Sequence, residues 1–389
     1  MSNQRGRRYA SSTNKKATHS AALSAKSRRT SIIQPVKKKK KNIALRFLAG
    51  ILACFLVIFI GIFCVYSYYY GMLNYNDGEF EFSGVFGGAD AVGEGADVSG
   101  ELGDLINSMN SDLAEYDIIS ASDVTNILLL GVDDREEGYS ARTDTMILVS
   151  ICNNTDKIYL TSFMRDTWVH IPGYGYSRLN AANALGGPQL VMQTIEENFK
   201  IKVDRYAMVN FLTFVDVVNS VGGVEMTLTG DEVYYMNEYI RTYRAEFEDF
   251  VEQVPGGTEY ISEAGTYRLN GVQALSYCRI RYVGDDFERT NRQRKVIGAI
   301  FNEAKGLNIA EISSLAEVLF PQIMTNITSM EVIGMCFNVG SYLSYDLLSQ
   351  RVPADGTWYS FITSGGADVV GVDLRANIEM LRGTIYAES

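Results

Sequence analysis

An uncharged segment of nineteen residues, 47–65 (FLAGILACFLVIFIGIFCV), separates two parts of the chain that carry opposite charge. Residues 1–46 hold fourteen Lys or Arg and neither Asp nor Glu. Removing them from the totals of 35 basic and 46 acidic residues leaves 21 against 46. A helix needs about 20 apolar residues to cross the hydrocarbon core of a bilayer. The segment therefore predicts one transmembrane helix between a basic tail and an acidic main part.

The residues around this helix predict its orientation. Tyr66, Tyr68, Tyr69 and Tyr70 follow the apolar run, as expected for aromatic side chains at a membrane interface. All nearby positive charge precedes the run, and positively charged flanks stay in the cytoplasm. We predict a single-pass protein of the cell membrane, with a cytoplasmic N-terminus, an anchor over residues 47–70 and an extracellular C-terminal domain.

Two other interpretations of the N-terminal region are less well supported. A cleaved signal peptide would have a shorter apolar core followed by a small-x-small site, and no such site precedes the tyrosines. Cys54 lies inside the apolar run rather than at its end, so it does not indicate a lipoprotein cleavage site. The basic tail, residues 1–46, is expected to be disordered and to contact anionic membrane lipids, with no nucleic acid as a partner.

The acidic part begins with a predicted stalk over residues 71–123. Nine glycines lie between residues 71 and 103, and neither Lys nor Arg occurs between 71 and 134. Such a composition is typical of a flexible linker. The apolar spacing from Leu102 to Leu113 predicts a short amphipathic helix that ends the stalk. The remaining residues, 124–389, suffice for one large domain with a substantial core.

Strand and helix patterns alternate in this domain. NILLLG, TMILVSIC and KIYLTSF, in the first forty residues, are apolar runs typical of buried strands. Further strands are predicted at 206–209, 224–228, 357–362 and 367–372, and helices at 188–198, 211–220, 289–304 and 309–319. This mixture predicts a single α/β domain whose central mixed sheet is covered by helices on both faces. The acidic, tyrosine-rich segment 234–266 is interpreted as a surface insertion or lid.

Five arginines lie within the sixteen residues that begin at Arg279 (RIRYVGDDFERTNRQR). Arg279 and Arg281 follow an apolar stretch, and on a strand they would project from one face. Asp286 suits the N-cap of the next helix, on which Arg289 and Gln293 share the inward-facing stripe. An arginine near a helix start opposes the macrodipole, and a bound anion would offset that penalty. The alternative is a surface salt-bridge network with the neighbouring acids.

Carboxylates and arginines also lie at the ends of the first three predicted strands. Asp133 follows the first strand, Arg142 and Asp144 precede the second, and Arg165 follows the third. If these strands are neighbours, the four residues meet at one edge of the sheet. Carboxylates there would hold Mg2+ through oxygen, and arginines would bind phosphate oxygens in bidentate fashion. The pattern therefore favours a metal-plus-arginine phosphate site.

The histidines and cysteines narrow the chemistry. The chain has two histidines, His19 in the tail and His170 in the domain, and it lacks a G-x-S-x-G motif. A serine hydrolase triad and a histidine zinc site are therefore unsupported. Cys152, Cys278 and Cys336 are far apart and odd in number, so each is expected to be a small buried apolar residue. Phosphoryl transfer requires neither residue type, since positioning and charge neutralisation supply most of the catalysis.

Over residues 124–300 the chain resembles the LytR-CpsA-Psr family of bacterial cell-envelope proteins. Several motifs occur in the family's order, which is more specific than any one of them. They are LLLGVD (128–133), RTDT (142–145), SFMRDTWVHIPG (162–173), RLNAANALGG (178–187), VNF (209–211), VGGVEM (221–226) and LNGVQALSYCRIRYVGDDFERTNRQR (269–294). The family also has a cytoplasmic tail, one anchor and an outer domain. Arg178 departs from the lysine that the family often has at this place.

The resemblance implies a phosphotransferase that takes a glycopolymer, such as teichoic acid or capsule, from an undecaprenyl-pyrophosphate carrier and joins it to peptidoglycan through a phosphodiester. It implies that Asp133 and Asp144 hold Mg2+, that they act in catalysis with Arg165 and Arg281, and that Asp286 supports the site. It also implies that part of the apolar interior admits the polyprenyl chain. The residues expected to contact the pyrophosphate are Arg142, Arg165, Arg279, Arg281, Arg289 and Gln293.

Two alternatives to an enzyme are weighed. The first is a non-catalytic protein that binds lipid-linked glycan or organises wall assembly, with the arginines as a ligand clamp. Asp133 and Asp144 weigh against it, because carboxylates weaken an anion receptor unless a cation lies between. The second is a transcriptional regulator. An acidic outer domain cannot reach DNA across a membrane, and the tail has no folded DNA-binding motif.

Overall fold

The computed structural model describes residues 113–132, 142–246, 259–308, 322–363 and 365–387. The predicted basic tail, the membrane anchor and most of the stalk lie outside these ranges. Within them, no helix combines the length and the apolar character needed to cross a bilayer. The anchor and the domain boundaries therefore stay predictions.

The described ranges contain twelve strands and seven helices, preceded by a short 3-10 turn at Leu113–Glu115. In chain order they are β1 (Val124–Val132), β2 (Thr143–Cys152), β3 (Lys157–Phe163), β4 (Trp168–Ile171), β5 (Gly175–Arg178), α1 (Ala181–Phe199), β6 (Arg205–Val209), α2 (Phe211–Ser220), β7 (Val224–Leu228), α3 (Gly230–Glu246), β8 (Gly265–Leu269), α4 (Gly271–Arg279), α5 (Asp286–Ala304), β9 (Met324–Thr325), α6 (Ser329–Tyr342), β10 (Asp346–Val352), β11 (Trp358–Ile362), β12 (Asp368–Val372) and α7 (Leu374–Ile385). The predicted strands are confirmed within two residues. The helix predicted at 309–319 lies outside the described residues.

Six strands form the central sheet, in the order β10-β3-β2-β1-β6-β9. β1 pairs with β2 in antiparallel and with β6 in parallel orientation, while β3 pairs with β10 in parallel orientation. β2 and β3 are joined by the tight turn predicted at NNTD and pair in antiparallel orientation. The sheet is therefore mixed, as predicted.

Helices cover both faces of this sheet because β1 is apolar on both sides. Leu128 and Leu130, which are fully buried, share one apolar cluster with Val191 of α1 and Ile378 of α7. On the opposite face, Ile127 belongs to a second cluster that includes residues of α5 and α6. Fully burying a side chain of this size contributes about 1.5–3 kcal/mol to folding. The prediction of an α/β domain with helices on both faces is confirmed.

A further apolar cluster joins α2, α3, α4, the antiparallel pair of β7 and β8, and one side of α5. Gly271 at the start of α4 lies against α2, where a Cβ atom would come within 2.4 Å of the carbonyl oxygen of Val215. A side chain larger than hydrogen therefore does not fit. This close approach explains the glycine of the LNG motif and packs α4, which ends at Arg279, against α2.

The arginine-rich segment folds differently from the prediction at its beginning. The apolar stretch before it is the helix α4 rather than a strand, and a capping box between Asn270 and Gln273 starts it. Arg279 is the last residue of this helix and Arg281 lies in the following loop. The two arginines therefore do not share a strand face. Apolar runs of this length do not distinguish a buried strand from a buried helix.

Two smaller predictions are also corrected. The N-cap of α5 is Asp285, whose side chain accepts from the backbone N–H of Glu288, so Asp286 is instead the first helical residue. The segment interpreted as a surface insertion begins inside α3, and Met236 and Ile240 are fully buried there. This part of α3 belongs to the core, while residues 247–258 lie outside the described ranges.

Candidate anion-binding site and apolar cavity

The ends of β2 and β3 bring Asp144 and Arg165 together. Asp144 is the second residue of β2, and Arg165 follows the end of β3 by two positions. Because the two strands are antiparallel neighbours, the start of one lies beside the end of the other. Arg165 Nη1 donates to Asp144 Oδ1 at 2.8 Å. The predicted convergence of these two residues is therefore present.

The first turn of α5 reaches the same place. Asp286 Oδ1 lies 2.7 Å from Arg289 Nε and 3.7 Å from Arg165 Nη2. The side chain of Arg289 is only 2% exposed, so its charge is neutralised inside the protein by Asp286. The helix macrodipole was predicted to disfavour an arginine near the start of this helix. The carboxylate of Asp286 offsets part of that unfavourable interaction for Arg289.

Two further arginines extend the array. Arg281 Nη2 lies 3.4 Å from Asp144 Oδ2, and Arg281 is about half exposed. Asp166 lies 3.3 Å from Arg165 Nε and 3.4 Å from Arg178 Nε. We call this set the arginine–aspartate cluster. It consists of Arg165, Arg178, Arg281 and Arg289 with Asp144, Asp166 and Asp286.

The cluster fixes the charge states of its members. Burial acts to raise the pKa of Asp144, but the hydrogen bond from Arg165 and the charges of Arg289, Arg165 and Arg281 outweigh it, so this pKa lies below its ordinary value. Burial acts to lower the pKa of Arg165, but Asp286, Asp166 and Asp144 raise it. Asp144 is therefore a carboxylate, and Arg165 a cation, at any physiological pH.

An apolar cavity of about 280 Å³ opens beside the cluster. Its walls come from the sheet, α2, α4 and α5, and they include Leu129, Ala207, Phe211, Phe214, Leu275 and Ile297. Charged and polar side chains also line it, namely Asp144, Arg279, Arg281, Arg289 and Gln293. Such a cavity suits an amphiphilic ligand with an anionic head and an apolar tail.

Arg279 and Gln293 belong to the site because both line this cavity. The guanidinium of Arg279 lies over the ring of Phe211, 4.5 Å from its centroid. This position gives the guanidinium a cation–π interaction with the ring. Gln293 is 7% exposed and lines the cavity on the same stripe of α5 as Arg289. Five of the predicted site residues therefore line one cavity.

Two predicted residues are not placed in this site. Asp133 lies outside the described residues, so its convergence with Asp144 stays a prediction. Arg142 is described as an exposed residue just before β2, and it does not line the cavity.

The described residues offer one carboxylate suited to a metal ion. In the described ranges, no group of three or more His, Cys, Asp or Glu is arranged to hold a metal. Asp144 is deprotonated and lies at the cavity, although its two oxygens contact Arg165 and Arg281. Mg2+ is often held by one or two carboxylates together with substrate phosphates. The donor set therefore fits Mg2+ only in combination with a phosphate ligand.

The sequence patterns did not identify the buried pair of Arg292 and Glu232. Arg292 Nε donates to Glu232 Oε1 at 3.0 Å, and its Nη1 donates to the carbonyl oxygen of Ile280 at 3.1 Å. It also donates to the carbonyl of Val283. Arg292 thus supports the loop between α4 and α5 that carries Arg281. In the sequence, the only indication that Arg292 supports the site is its position three residues after Arg289.

The cysteines and His170 of the domain have structural surroundings. Cys152 and Cys278 are buried, and burial raises their pKa values to about 11 and about 12, as predicted for inert apolar cysteines. The side chain of Cys336 is outside the described part. The backbone of His170 is held by Asn198, and its ring lies against Tyr176 at 5.5 Å.

Comparison with known proteins identifies relatives over most of the chain. The model of the LytR_cpsA_psr family matches residues 99–373. The chain is 28% identical over 302 residues to the polyisoprenyl-teichoic acid–peptidoglycan teichoic acid transferase TagU of Oceanobacillus iheyensis, which covers 72% of this chain and 87% of that protein. It is 30% identical to the Bacillus cereus protein of the same name, over 68% of this chain and 82% of that protein. A solved structure of TagT bound to LIIa-WTA superposes with a TM-score of 0.53 at 27% identity, covering 68% of this chain and 92% of that one.

Proposed function

Because this chain belongs to the LytR-CpsA-Psr family, we propose that it moves a glycopolymer from an undecaprenyl-pyrophosphate carrier to peptidoglycan. The observation that carries the proposal is the apolar cavity lined at one side by Arg279, Arg281 and Arg289. A polyprenyl pyrophosphate has the matching form, with a long apolar tail and a doubly charged head. The predicted enzyme class, a transferase, is confirmed by the names of the relatives.

The proposed reaction is a phosphoryl transfer. A hydroxyl oxygen of the wall glycan attacks the phosphorus that bears the glycopolymer, and the bond from that phosphorus to the bridging oxygen breaks. Polyprenyl phosphate leaves with the electron pair, and the product is a phosphodiester between glycopolymer and peptidoglycan. The hydroxyl proton passes to a base or to water at the site.

The arginines have the roles of binding and charge neutralisation. Arg279, Arg281 and Arg289, with Gln293, would hold the pyrophosphate at the mouth of the cavity. Arg165 orients Asp144 and is tied to Asp286, so it would position the phosphate relative to α5. Preorganised charges of this kind stabilise the negative charge of a phosphoryl transition state. Arg142, predicted to contact the pyrophosphate, would do so from its exposed position before β2.

Asp144 is better suited to hold charge than to accept a proton. A general base works best when its pKa lies near the working pH, and the pKa of Asp144 is held below the ordinary value. Asp144, with Asp133, would hold Mg2+, which when bound neutralises charge on the phosphate oxygens. Asp144 would meanwhile keep Arg165 and Arg281 in place.

The proposal includes a location. The predicted helix at 47–65 would anchor the chain in the cell membrane, with the domain outside. The domain would then be tethered to the membrane that carries the lipid-linked glycan. The proposed partners are the lipid-linked glycan, the peptidoglycan acceptor and the anionic lipids that meet the basic tail.

The decisive experiment uses the purified full chain in detergent with Mg2+, a polyprenyl-pyrophosphoryl saccharide and a wall-glycan acceptor. We expect release of polyprenyl phosphate and formation of a phosphodiester, both lost in Asp144→Ala and Arg165→Ala. Binding of the carrier without transfer in the unaltered protein would favour the non-catalytic alternative. Transfer that persists in both variants would refute the assigned site. Omission of Mg2+ tests the metal separately.

A further inference from the structure

Arg294 is a buried arginine with unmet hydrogen-bonding capacity. Its side chain is 7% exposed, and within the described part of the chain its buried Nε and Nη1 atoms find no hydrogen-bond partner. Burial, together with the charge of Arg351, lowers the pKa of Arg294 to about 10, although Glu288 acts in the opposite direction. A buried guanidinium with unpaired donors destabilises a fold. Its presence therefore points to a partner that the described residues do not supply.

A second arginine beside it has the same deficiency. Arg351 of β10 is 18% exposed and pairs at one end with Asp355, which is almost fully exposed. Its Nη1 atom is buried, and no described residue forms a hydrogen bond with it. Two guanidinium groups close enough to depress a pKa repel each other. An anion bound beside both guanidinium groups would offset this repulsion.

Arg294 lines a cleft that is distinct from the apolar cavity. Asn291, Arg294, Gly298 and Asn302 follow the spacing of one stripe of α5, and with β7 and Ser349 of β10 they enclose about 420 Å³. Arg289 and Gln293 lie on the other stripe and line the apolar cavity. One helix therefore separates the two spaces.

The polarity of the cleft suits a hydrophilic ligand. Lys295 lines it with its charge at the surface, and Thr227, Asn291, Asn302 and Ser349 add hydrogen-bonding groups. Its acidic lining residue, Glu225, is exposed at the edge. Arg294 is thus a nearly buried cation of the cleft lining, whereas Glu225 is exposed.

An aromatic pair adjoins these arginines. The guanidinium of Arg351 lies 4.1 Å from the centroid of Phe287, and Phe287 packs against Trp358 at 4.6 Å. Trp358 is 38% exposed although it is a large aromatic residue. Exposed aromatic rings beside hydrogen-bond donors suit sugars, whose C–H faces stack on rings while their hydroxyls and acids bind the donors. Phe287 directly follows Asp286 of the arginine–aspartate cluster.

We propose that Arg294 and Arg351, with Phe287 and Trp358, form a binding site for an anionic saccharide next to the phosphate site. The inference rests on the proposed function, in which two glycans meet at one phosphorus. Two sources share the required chemistry: a glycopolymer that carries phosphates, and a wall-glycan strand that carries carboxylates. In either case the site would hold the saccharide while the cavity holds the lipid.

The test measures binding of lipid-free saccharides to the full chain in detergent by calorimetry. The probes are a peptidoglycan fragment with free carboxylates, a phosphate-bearing soluble glycopolymer and a neutral chito-oligosaccharide. We expect Arg294→Met to weaken binding of one anionic probe by about tenfold or more, which is the contribution of a charged hydrogen bond. Trp358→Ala should weaken binding of the same probe. The probe that is affected shows whether the bound saccharide is the glycopolymer or the wall-glycan strand. The neutral oligosaccharide should bind weakly to every variant.

Stability separates a ligand role from a structural one. Arg294→Met removes an unpaired buried charge, so it should unfold at the same or a higher denaturant concentration than the unaltered chain. The matched control is Arg241→Gln, which removes one guanidinium from an exposed pair with Glu238 and should leave binding unchanged. Equal binding of both anionic probes by Arg294→Met and the unaltered chain refutes the inference. So does marked destabilisation of Arg294→Met.

Carrier binding is measured in parallel so that the two proposals can fail separately. Arg294→Met and Trp358→Ala should bind polyprenyl pyrophosphate as the unaltered chain does. If the unaltered chain binds an anionic saccharide through Arg294 but no polyprenyl pyrophosphate, the proposed function fails and the saccharide site stands. The reverse result retains the function and removes the saccharide site.

Discussion

Arg165 Nη1 lies 2.8 Å from Asp144 Oδ1, and this contact joins the end of β3 to the start of β2. The same guanidinium reaches Asp286 at the first turn of α5. One side chain thus joins two consecutive strands to a helix much further along the chain. Because Arg165 is mostly buried, its charge depends on both carboxylates, and changes at any of the three residues are expected to be coupled.

Asp144→Asn tests the charge at this contact. The amide keeps the shape and can still accept from Arg165, but it loses the negative charge. We expect the rate of transfer in a single turnover to fall by about 100-fold, as for the loss of one preorganised electrostatic group, while the circular dichroism spectrum stays unchanged. Asp117→Asn, an exposed position, is the matched control. Transfer at the unaltered rate in Asp144→Asn would contradict a catalytic role.

Arg289→Met tests whether this residue binds the pyrophosphate head of the ligand. This side chain is 2% exposed and lines the cavity next to Asp286. We expect affinity for polyprenyl pyrophosphate to fall by about tenfold or more, because a charge-assisted contact to phosphate is lost. Affinity measured by fluorescence competition should remain normal in Arg241→Gln. Unchanged affinity in Arg289→Met would remove this residue from the anion site.

Ala207→Phe tests whether the polyprenyl tail of the ligand occupies the apolar cavity. Ala207 of β6 lines the apolar cavity, and a benzyl side chain there would occupy space that a lipid needs. We expect loss of binding to a long-chain polyprenyl pyrophosphate, with little change for a water-soluble pyrophosphate ester. Ala367→Phe, on a different part of the domain, serves as the control. Equal binding of the long chain by Ala207→Phe would show that the tail lies elsewhere.

Arg292→Met tests the support of the loop between α4 and α5. The change leaves Glu232, which is 8% exposed, without its guanidinium partner. Breaking a buried ion pair from one side reduces the free energy of unfolding by about 3–5 kcal/mol. In urea titrations, the double variant Glu232→Gln/Arg292→Met should recover part of that loss. Equal instability of the single and double variants would argue against an uncompensated charge.

Glu331 gives a prediction about pH. Hydrogen bonds from Arg205, opposed by burial and assisted by Thr328, lower the pKa of Glu331 to about 2 from the ordinary 4.5. A carboxyl whose pKa is depressed in the folded state stabilises the protein above its unfolded pKa. This contribution is lost as the pH falls from about 4.5 towards 2, and it is reduced by solvent screening because Glu331 is partly exposed. The difference in unfolding free energy between the unaltered chain and Glu331→Gln should therefore narrow over that interval.

The periodic parts of the fold could be predicted from the sequence. β1, β2 and β3 are long apolar runs between polar turns, and α2 was predicted at residues 211–220, where it lies. The convergence of Asp144 and Arg165 followed from the adjacency of their strands. These features depend on local patterns and on one assumption about which strands pair.

Other features depend on packing that a single sequence does not display. The helix α4 resembles a buried strand in composition. The close packing against α2 at Gly271, which distinguishes the two conformations, is evident only in the folded structure. The pair of Glu232 and Arg292 is separated by 60 residues. The apolar residues of the cavity, such as Phe214 and Ile297, have the same pattern as residues that fill a core.

The apolar cavity has a consequence for turnover. If it holds the carrier's tail, the same contacts exist before and after the phosphoryl group moves, so the tail cannot favour the transition state over the spent carrier. The tail would hold the product as firmly as the substrate. Each round would then end with slow extraction of polyprenyl phosphate back into the bilayer, and this exit rather than bond breaking would set the steady-state rate.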